Sequence, residues 1–123
     1  MSERTDSDFL NHIAEAVRRT TSYTEKMTCE EFFGDTKTQD AVIRNIEIIG
    51  EATKNLSDTI RDKYPEIPWK GLAGMRDRLI HQYFGVNPDI VWTVAKEELP
   101  EILSKIRKME EIIAVKDFML KKL

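Results

Sequence analysis

The sequence predicts an all-α fold, an up-and-down bundle of four to five helices. Apolar residues recur at three- and four-residue steps over long stretches, as they do along one face of a helix. Glycine (5) and proline (4) are too scarce to punctuate many short strands. No stretch alternates apolar and polar residues convincingly enough to read as a strand. Of the 123 residues, 41% are hydrophobic and 33% charged, which excludes a disordered chain and suits one domain over 1–123.

Residues 7–28 form the first predicted helix. Phe9, Ile13, Ala16, Val17, Thr20, Tyr23 and Met27 share its apolar stripe, and Asp6 or Ser7 caps it. Thr28 to Thr38, with Gly34 and Asp35, reads as a short helical turn and a loop. Residues 38–56 form the second helix. Its stripe of Val42, Ile46, Ile49, Thr53 and Leu56 is widened by Ala41, Ile48 and Ala52, so it is buried on more than one side. Ser57-Asp58 starts a further short helix through Ile60 that ends before Pro65. Tyr64 to Trp69 is extended, because a residue before proline avoids the helical region.

Residues 69–84 form the third helix, with Trp69, Leu72, Leu79, Ile80 and Phe84 inward. Gly71 and Gly74 each weaken it by about 1 kcal/mol relative to Ala. Two such losses within a turn predict that another backbone comes close there; tolerated glycines are the alternative. Gly85 serves as its C-terminal cap. Asn87-Pro88 opens the fourth helix, Asn as cap and Pro at the first position. Ile90, Val91, Val94 and Leu99 continue it. Pro100 is expected to kink or interrupt it, since the ring removes a backbone donor. Glu101 to Leu123 continues the helical pattern with Ile102, Leu103, Ile106, Met109, Ile113 and Leu120.

The formal net charge of −3 means that nucleic acid, if bound, is held by a local positive site and not by the global field. One cysteine, Cys29, can form neither an intrachain disulfide nor a metal cluster and reads as a small buried or incidental side chain. The first ten residues are too polar for a signal peptide, and no apolar run suffices for a membrane span, so a cytoplasmic location is expected.

The chemistry concentrates in Arg76-Asp-Arg-Leu-Ile-His-Gln-Tyr83. On one continuous helix, Arg76 and Tyr83 share a stripe, Asp77 and His81 are neighbours four apart, and Arg76 and His81 splay by roughly 140°. Two copies of the helix about a two-fold axis would bring both His and both Arg side chains to one cleft. There histidine can take a proton from an RNA 2′-hydroxyl and return one to the leaving oxygen, while arginine neutralises the phosphate. Asp77 can orient the imidazole or pair with an arginine. No metal or cofactor is called for. An Arg and a His five apart is a common pattern, and on this element alone a solvated helix face is the simpler reading. Tyr83 alone reads as half-buried packing, and His12 as a surface residue.

The wider sequence resembles the HepT-type branch of the HEPN superfamily. The resemblance is carried by Arg44-Asn-Ile-Glu-Ile-Ile-Gly-Glu-Ala52, Ile67-Pro-Trp69, Gly74-Met-Arg-Asp-Arg-Leu-Ile-His-Gln-Tyr-Phe-Gly-Val86 and Val91-Trp92. It spans about residues 9 to 115 and implies a homodimeric helical bundle. It also implies a metal-independent endoribonuclease toxin of a type VII toxin–antitoxin pair, with Arg76, Asp77 and His81 as the ribonuclease site. Its implied partner is a minimal nucleotidyltransferase (MNT-type) antitoxin that transfers AMP from ATP to Tyr83. Asp77 stands where the family often has Asn, which adds negative charge beside the phosphate site.

Outside the motif, Arg44, Glu47 and Glu51 recur at three- and four-residue steps and either brace the motif helix or cover the bundle. Trp69 and Trp92 read as core residues. The competing functional reading is a catalytically weak helical module that docks a nucleotidyltransferase; a third is a purely structural helical dimer.

Overall fold

A computed structural model describes residues 5–81 and 85–122, with Ile80, His81 and Val86 described by backbone alone. The fold is all-α. Among the described residues there are eight α-helical segments: α1 (Asp6–Thr24), α2 (Cys29–Phe33), α3 (Thr36–Lys54), α4 (Asp58–Lys63), α5 (Trp69–Ala73), α6 (Met75–Leu79), α7 (Pro88–Thr93) and α8 (Leu99–Lys121). A π-helical turn over Val94–Glu98 joins α7 to α8.

Side-chain caps set most of the helix starts. Thr5 caps α1 in a reciprocal box with Asp8, one residue before the predicted Asp6 or Ser7. Thr28 and Glu31 form the same box at α2. Asp35 caps α3, Ser57 caps α4, and Asn87 caps α7 with Pro88 following, the last two as the sequence predicts. Asp6 accepts from the Ser57 backbone N–H (2.9 Å) and hydroxyl (2.6 Å). The start of α1 therefore lies beside the end of α3, and the two run antiparallel. At the other end of α1, Lys96 Nζ donates to the carbonyls of Thr24 and Glu25. The last turn of α1 has no basic residue of its own, so this distant lysine complements the helix C-terminus.

The core lies between α1, α3 and α8. Ile13, Val17, Ile46, Ile49, Leu99 and Ile106 are fully enclosed, with Phe32, Leu72 and Leu79 closing its sides. Three buried threonines, Thr20, Thr24 and Thr53, satisfy their hydroxyls on the carbonyl four residues back. Trp69 is buried with its indole N–H on the Tyr64 carbonyl. Trp92 is half-buried, 5.2 Å from the Phe32 ring, with Lys96 over its face. Cys29 is exposed at the start of α2, which leaves the incidental reading of its thiol and removes the buried one.

Three sequence expectations are corrected. The predicted helix 69–84 is broken: α5 ends at Gly74, α6 ends at Leu79, and Ile80–His81 pairs antiparallel with Gly85–Val86 in a two-residue ladder. Gly85 has φ +77 and sits in that ladder; it does not cap a helix. The close backbone approach falls at Gly50 of α3, where an added Cβ would lie 3.4 Å from the Ala73 carbonyl. At Gly71 the nearest contact would be the Pro68 side chain, 3.8 Å away. At Pro100 the expected disturbance takes the form of a π turn just before the ring, Leu99 N–H reaching back five residues to the Val94 carbonyl, after which the chain continues as α8.

Candidate active site

The motif residues occupy a short, separately held element. Gly74 caps α5, its N–H donating to the carbonyls of Leu72 and Lys70. The chain restarts at once as α6, whose Met75 and Leu79 are buried against α3 and α7 while Arg76, Asp77 and Arg78 face solvent. Asn87 N–H donates to the Leu79 carbonyl at 2.9 Å and closes the base of the loop that begins at Ile80.

Arg76 and Asp77 are thus adjacent and exposed, and among the described residues neither has an ion-pair partner. Arg78 differs. Its guanidinium grips Glu98 at two points, Nη1 to Oε1 at 2.8 Å and Nη2 to Oε2 at 3.0 Å. The Glu98 hydrogen bonds raise the Arg78 pKa, with burial opposing them. Of the two arginines on α6, one is tied to the body of the fold and the other is open to a ligand. The role of Arg78 was not legible from its surroundings, because its partner lies 20 residues on.

His81 enters the site through its backbone, opposite Gly85 in the ladder; its imidazole lies outside the described residues, as does the whole of Tyr83. Because α6 ends at Leu79, the stripe geometry of one continuous helix does not relate Arg76 and Asp77 to His81 and Tyr83. Arg44, Glu47 and Glu51 make no ion pair with α6 among the described residues. They line a groove of about 650 Å³ between α1 and α3, together with Phe9 and His12, so the bracing role is not what the structure gives them. Among the described residues no group of His, Cys, Asp and Glu is placed to hold a metal ion, and no helix is long and apolar enough to cross a membrane.

An all-helical body that carries an open arginine and a carboxylate beside a short loop defines a class, a helical scaffold with a polar site at one loop. Comparison with known proteins makes the class specific. Residues 13–109 match the family described as ribonuclease HepT-like. A Thermococcus cleftensis protein named a probable ribonuclease HepT is 44% identical over 109 residues, 89% of this chain and 99% of its own. A Methanocaldococcus jannaschii protein, named provisionally as an RNase, is 48% identical over 85% of this chain and 84% of its own. One from Caldanaerobacter subterraneus, named likewise, is 39% identical over 86% of this chain and 95% of its own. No solved structure matched. The chain belongs to the HepT-like ribonuclease family of the HEPN superfamily.

Proposed function

We propose that residues 1–123 act as one cytoplasmic, homodimeric HEPN-like domain that cleaves RNA without a metal, using Arg76, Asp77 and His81. The observation that carries this reading is the contrast on α6 within a ribonuclease family: Arg78 is consumed by Glu98, while Arg76 is exposed and unpaired among the described residues. An open guanidinium offers two parallel donors to phosphate oxygens.

In the proposed reaction His81 takes the proton of an RNA 2′-hydroxyl. The 2′-oxygen attacks the adjacent phosphorus, and the P–O5′ bond breaks. His81 then returns the proton to the leaving 5′-oxygen, so that the products are a cyclic phosphate and a free 5′-hydroxyl. Arg76 neutralises the charge that builds on the non-bridging oxygens. Asp77 holds the imidazole or tempers the arginine. As a toxin of a type VII pair, the protein would be silenced by an MNT-type nucleotidyltransferase that uses ATP. The Tyr83 hydroxyl attacks the α-phosphorus and pyrophosphate leaves.

The test is cleavage of total RNA in EDTA by the parent, Arg76→Ala and His81→Ala. The expected result is a loss of about 100-fold or more in each variant. Equal activity in all three removes the assigned site. A folded parent inert on every RNA would favour the helical docking module, to which the exposed Asp77 carboxylate beside Arg76 is also suited.

A further inference from the structure

Seven large apolar side chains are exposed among the described residues, and five of them, Ile112, Val115, Phe118, Met119 and Leu120, fall near the end of α8. The last buried side chain of α8 is Met109, so the turns beyond it lean little on the bundle. Leu120 lies on the side of the helix that carries Leu99, Ile106 and Met109. Phe118 has Lys122 Nζ over its ring, 5.0 Å from the centroid. The other three form a stripe of their own. Ile112, Val115 and Met119 are spaced i, i+3, i+7 and are 43%, 61% and 62% exposed. This stripe is about 150° round the helix from the buried face, so the bundle that covers that face leaves it open.

The stripe has charged ends. Lys108 lies a turn before Ile112 and Lys122 a turn after Met119, and all five positions fall within about 80° of arc. Both lysines are exposed, and neither has an ion-pair partner among the described residues. Lys116 borders one flank and Glu111 the other, while Glu110 and Asp117 lie on the far side of the helix. The stripe and its borders thus carry three lysines against one glutamate, on a chain whose net charge is −3. A second copy fits this pattern badly. Antiparallel pairing centred on Val115 lays Lys108 against Lys122 at both ends, and parallel pairing lays each lysine on its own counterpart. A bilayer fits poorly as well, because three side chains make a narrow strip and a helix lying in an interface presents a broad apolar face.

We infer that the Ile112–Val115–Met119 stripe docks an amphipathic helix of an acidic partner protein, one whose apolar strip is bounded at both ends by carboxylates. Positions 108 and 122 are about 21 Å apart along the axis, so the partner's carboxylates must match that spacing and its helix must lie nearly along α8. Apolar contact supplies the attraction, and the end charges fix the register and turn away basic helices. The inference does not depend on the nuclease reading. Arg76 and Asp77 stand on α6, which is tied to Glu98, just ahead of the opposite end of α8.

The test uses the full chain and two labelled synthetic helical peptides, with binding followed by fluorescence anisotropy. Both peptides carry leucines at three- and four-residue steps. In one the leucines are bracketed by glutamates spaced as Lys108 and Lys122 are, and in the other by lysines. The glutamate peptide should bind the parent, and the lysine peptide should bind about tenfold more weakly or worse. Lys108→Glu combined with Lys122→Glu should invert that preference. Val115→Ser combined with Met119→Ser should abolish binding of both peptides. All four positions are exposed, so circular dichroism should show the fold retained. Equal binding of the two peptides, binding of neither, or binding that survives the serine substitutions would each overturn the assignment. Two controls name the other occupants. Sedimentation of the parent with phosphatidylglycerol vesicles, lost in the serine variant, would make the stripe a lipid face. A smaller oligomer for the serine variant in analytical ultracentrifugation would make it a seam between copies. Either result overturns the partner helix.

Discussion

Arg78 and Glu98 close on each other as a two-point ion pair, and this pair is the polar tie between α6 and the π turn ahead of α8. A five-residue helix cannot hold itself together by its own hydrogen bonds, so α6 depends on what it packs against. Buried Met75 and Leu79 hold one face, and the Arg78 fork fixes its rotation. Arg78→Ala should therefore cost little stability, about 0.5–1 kcal/mol for a pair this open to solvent. It should cost more in RNA cleavage, because Arg76 loses its fixed bearing. Arg78→Lys keeps the charge without the fork and should recover only part. Thermal melts and cleavage rates on the same preparations check both statements; a rate unchanged in Arg78→Ala would show that the pair does not position the site.

A second prediction concerns Gly85. Its φ of +77 is left-handed, and among the described residues nothing lies within 4 Å of the Cβ it lacks. The penalty for a side chain there is thus one of backbone conformation alone, about 1–2 kcal/mol. Because Gly85 pairs with His81 in the ladder, the strain is delivered to the backbone of the proposed base. Gly85→Ala should lower the melting temperature and slow cleavage together, while Gly85→Asn should be milder, since Asn tolerates this region better. A melting temperature that does not move would contradict the conformation.

These two cases also show what was legible in the sequence. Starts such as Ser57 and Asn87-Pro88 were readable because a cap acts over two or three residues. The box of Thr28 with Glu31 starts α2 where the sequence reads as a short helical turn. The break after Leu79 was not readable. The apolar spacing of Leu72, Leu79, Ile80 and Phe84 fits an unbroken helix, and what competes with it is non-local: the ladder to Gly85 and the bond from Asn87 to the Leu79 carbonyl. Likewise Gly50 looked unremarkable beside Gly71 and Gly74, since a close approach depends on which helix arrives there. Residue types at the candidate site could be named in advance, but the Arg78–Glu98 tie could not.

Asp35 gives a pH-dependent prediction. Its carboxylate caps α3 and accepts from the Thr38 hydroxyl at 2.6 Å and the Thr38 N–H at 3.0 Å. The hydroxyl bond and then the N–H bond hold its pKa below the ordinary carboxylate value, and Lys37 adds to them. The unfolded chain thus binds a proton more readily than the folded one. The contribution of the cap is complete above the unfolded value of about 3.9 and is lost as pH falls through the lower folded value. Asp35→Ala should melt below the parent at pH 7, and the gap should close on acidification below about pH 4. A gap independent of pH would mean that the carboxylate charge does not contribute.

The last prediction separates catalysis from its control. In the proposed mechanism Arg76 and Asp77 act through charge and hydrogen bonding at a phosphate, whereas Tyr83 is proposed as the acceptor of AMP. Only the phenol oxygen is needed for that. Tyr83→Phe should therefore cleave RNA at close to the parent rate yet resist silencing by the partner nucleotidyltransferase and ATP. In the proposed switch each AMP transferred to Tyr83 would add a phosphodiester charge to a protein whose arginine is proposed to bind phosphate, so modification and RNA should compete. Raising the RNA concentration should slow modification, and modified protein should bind RNA weakly. Mass spectrometry of tryptic peptides fixes the acceptor. AMP found elsewhere, or a Tyr83→Phe variant silenced as readily as the parent, would reject the switch while leaving the nuclease assignment to its own test.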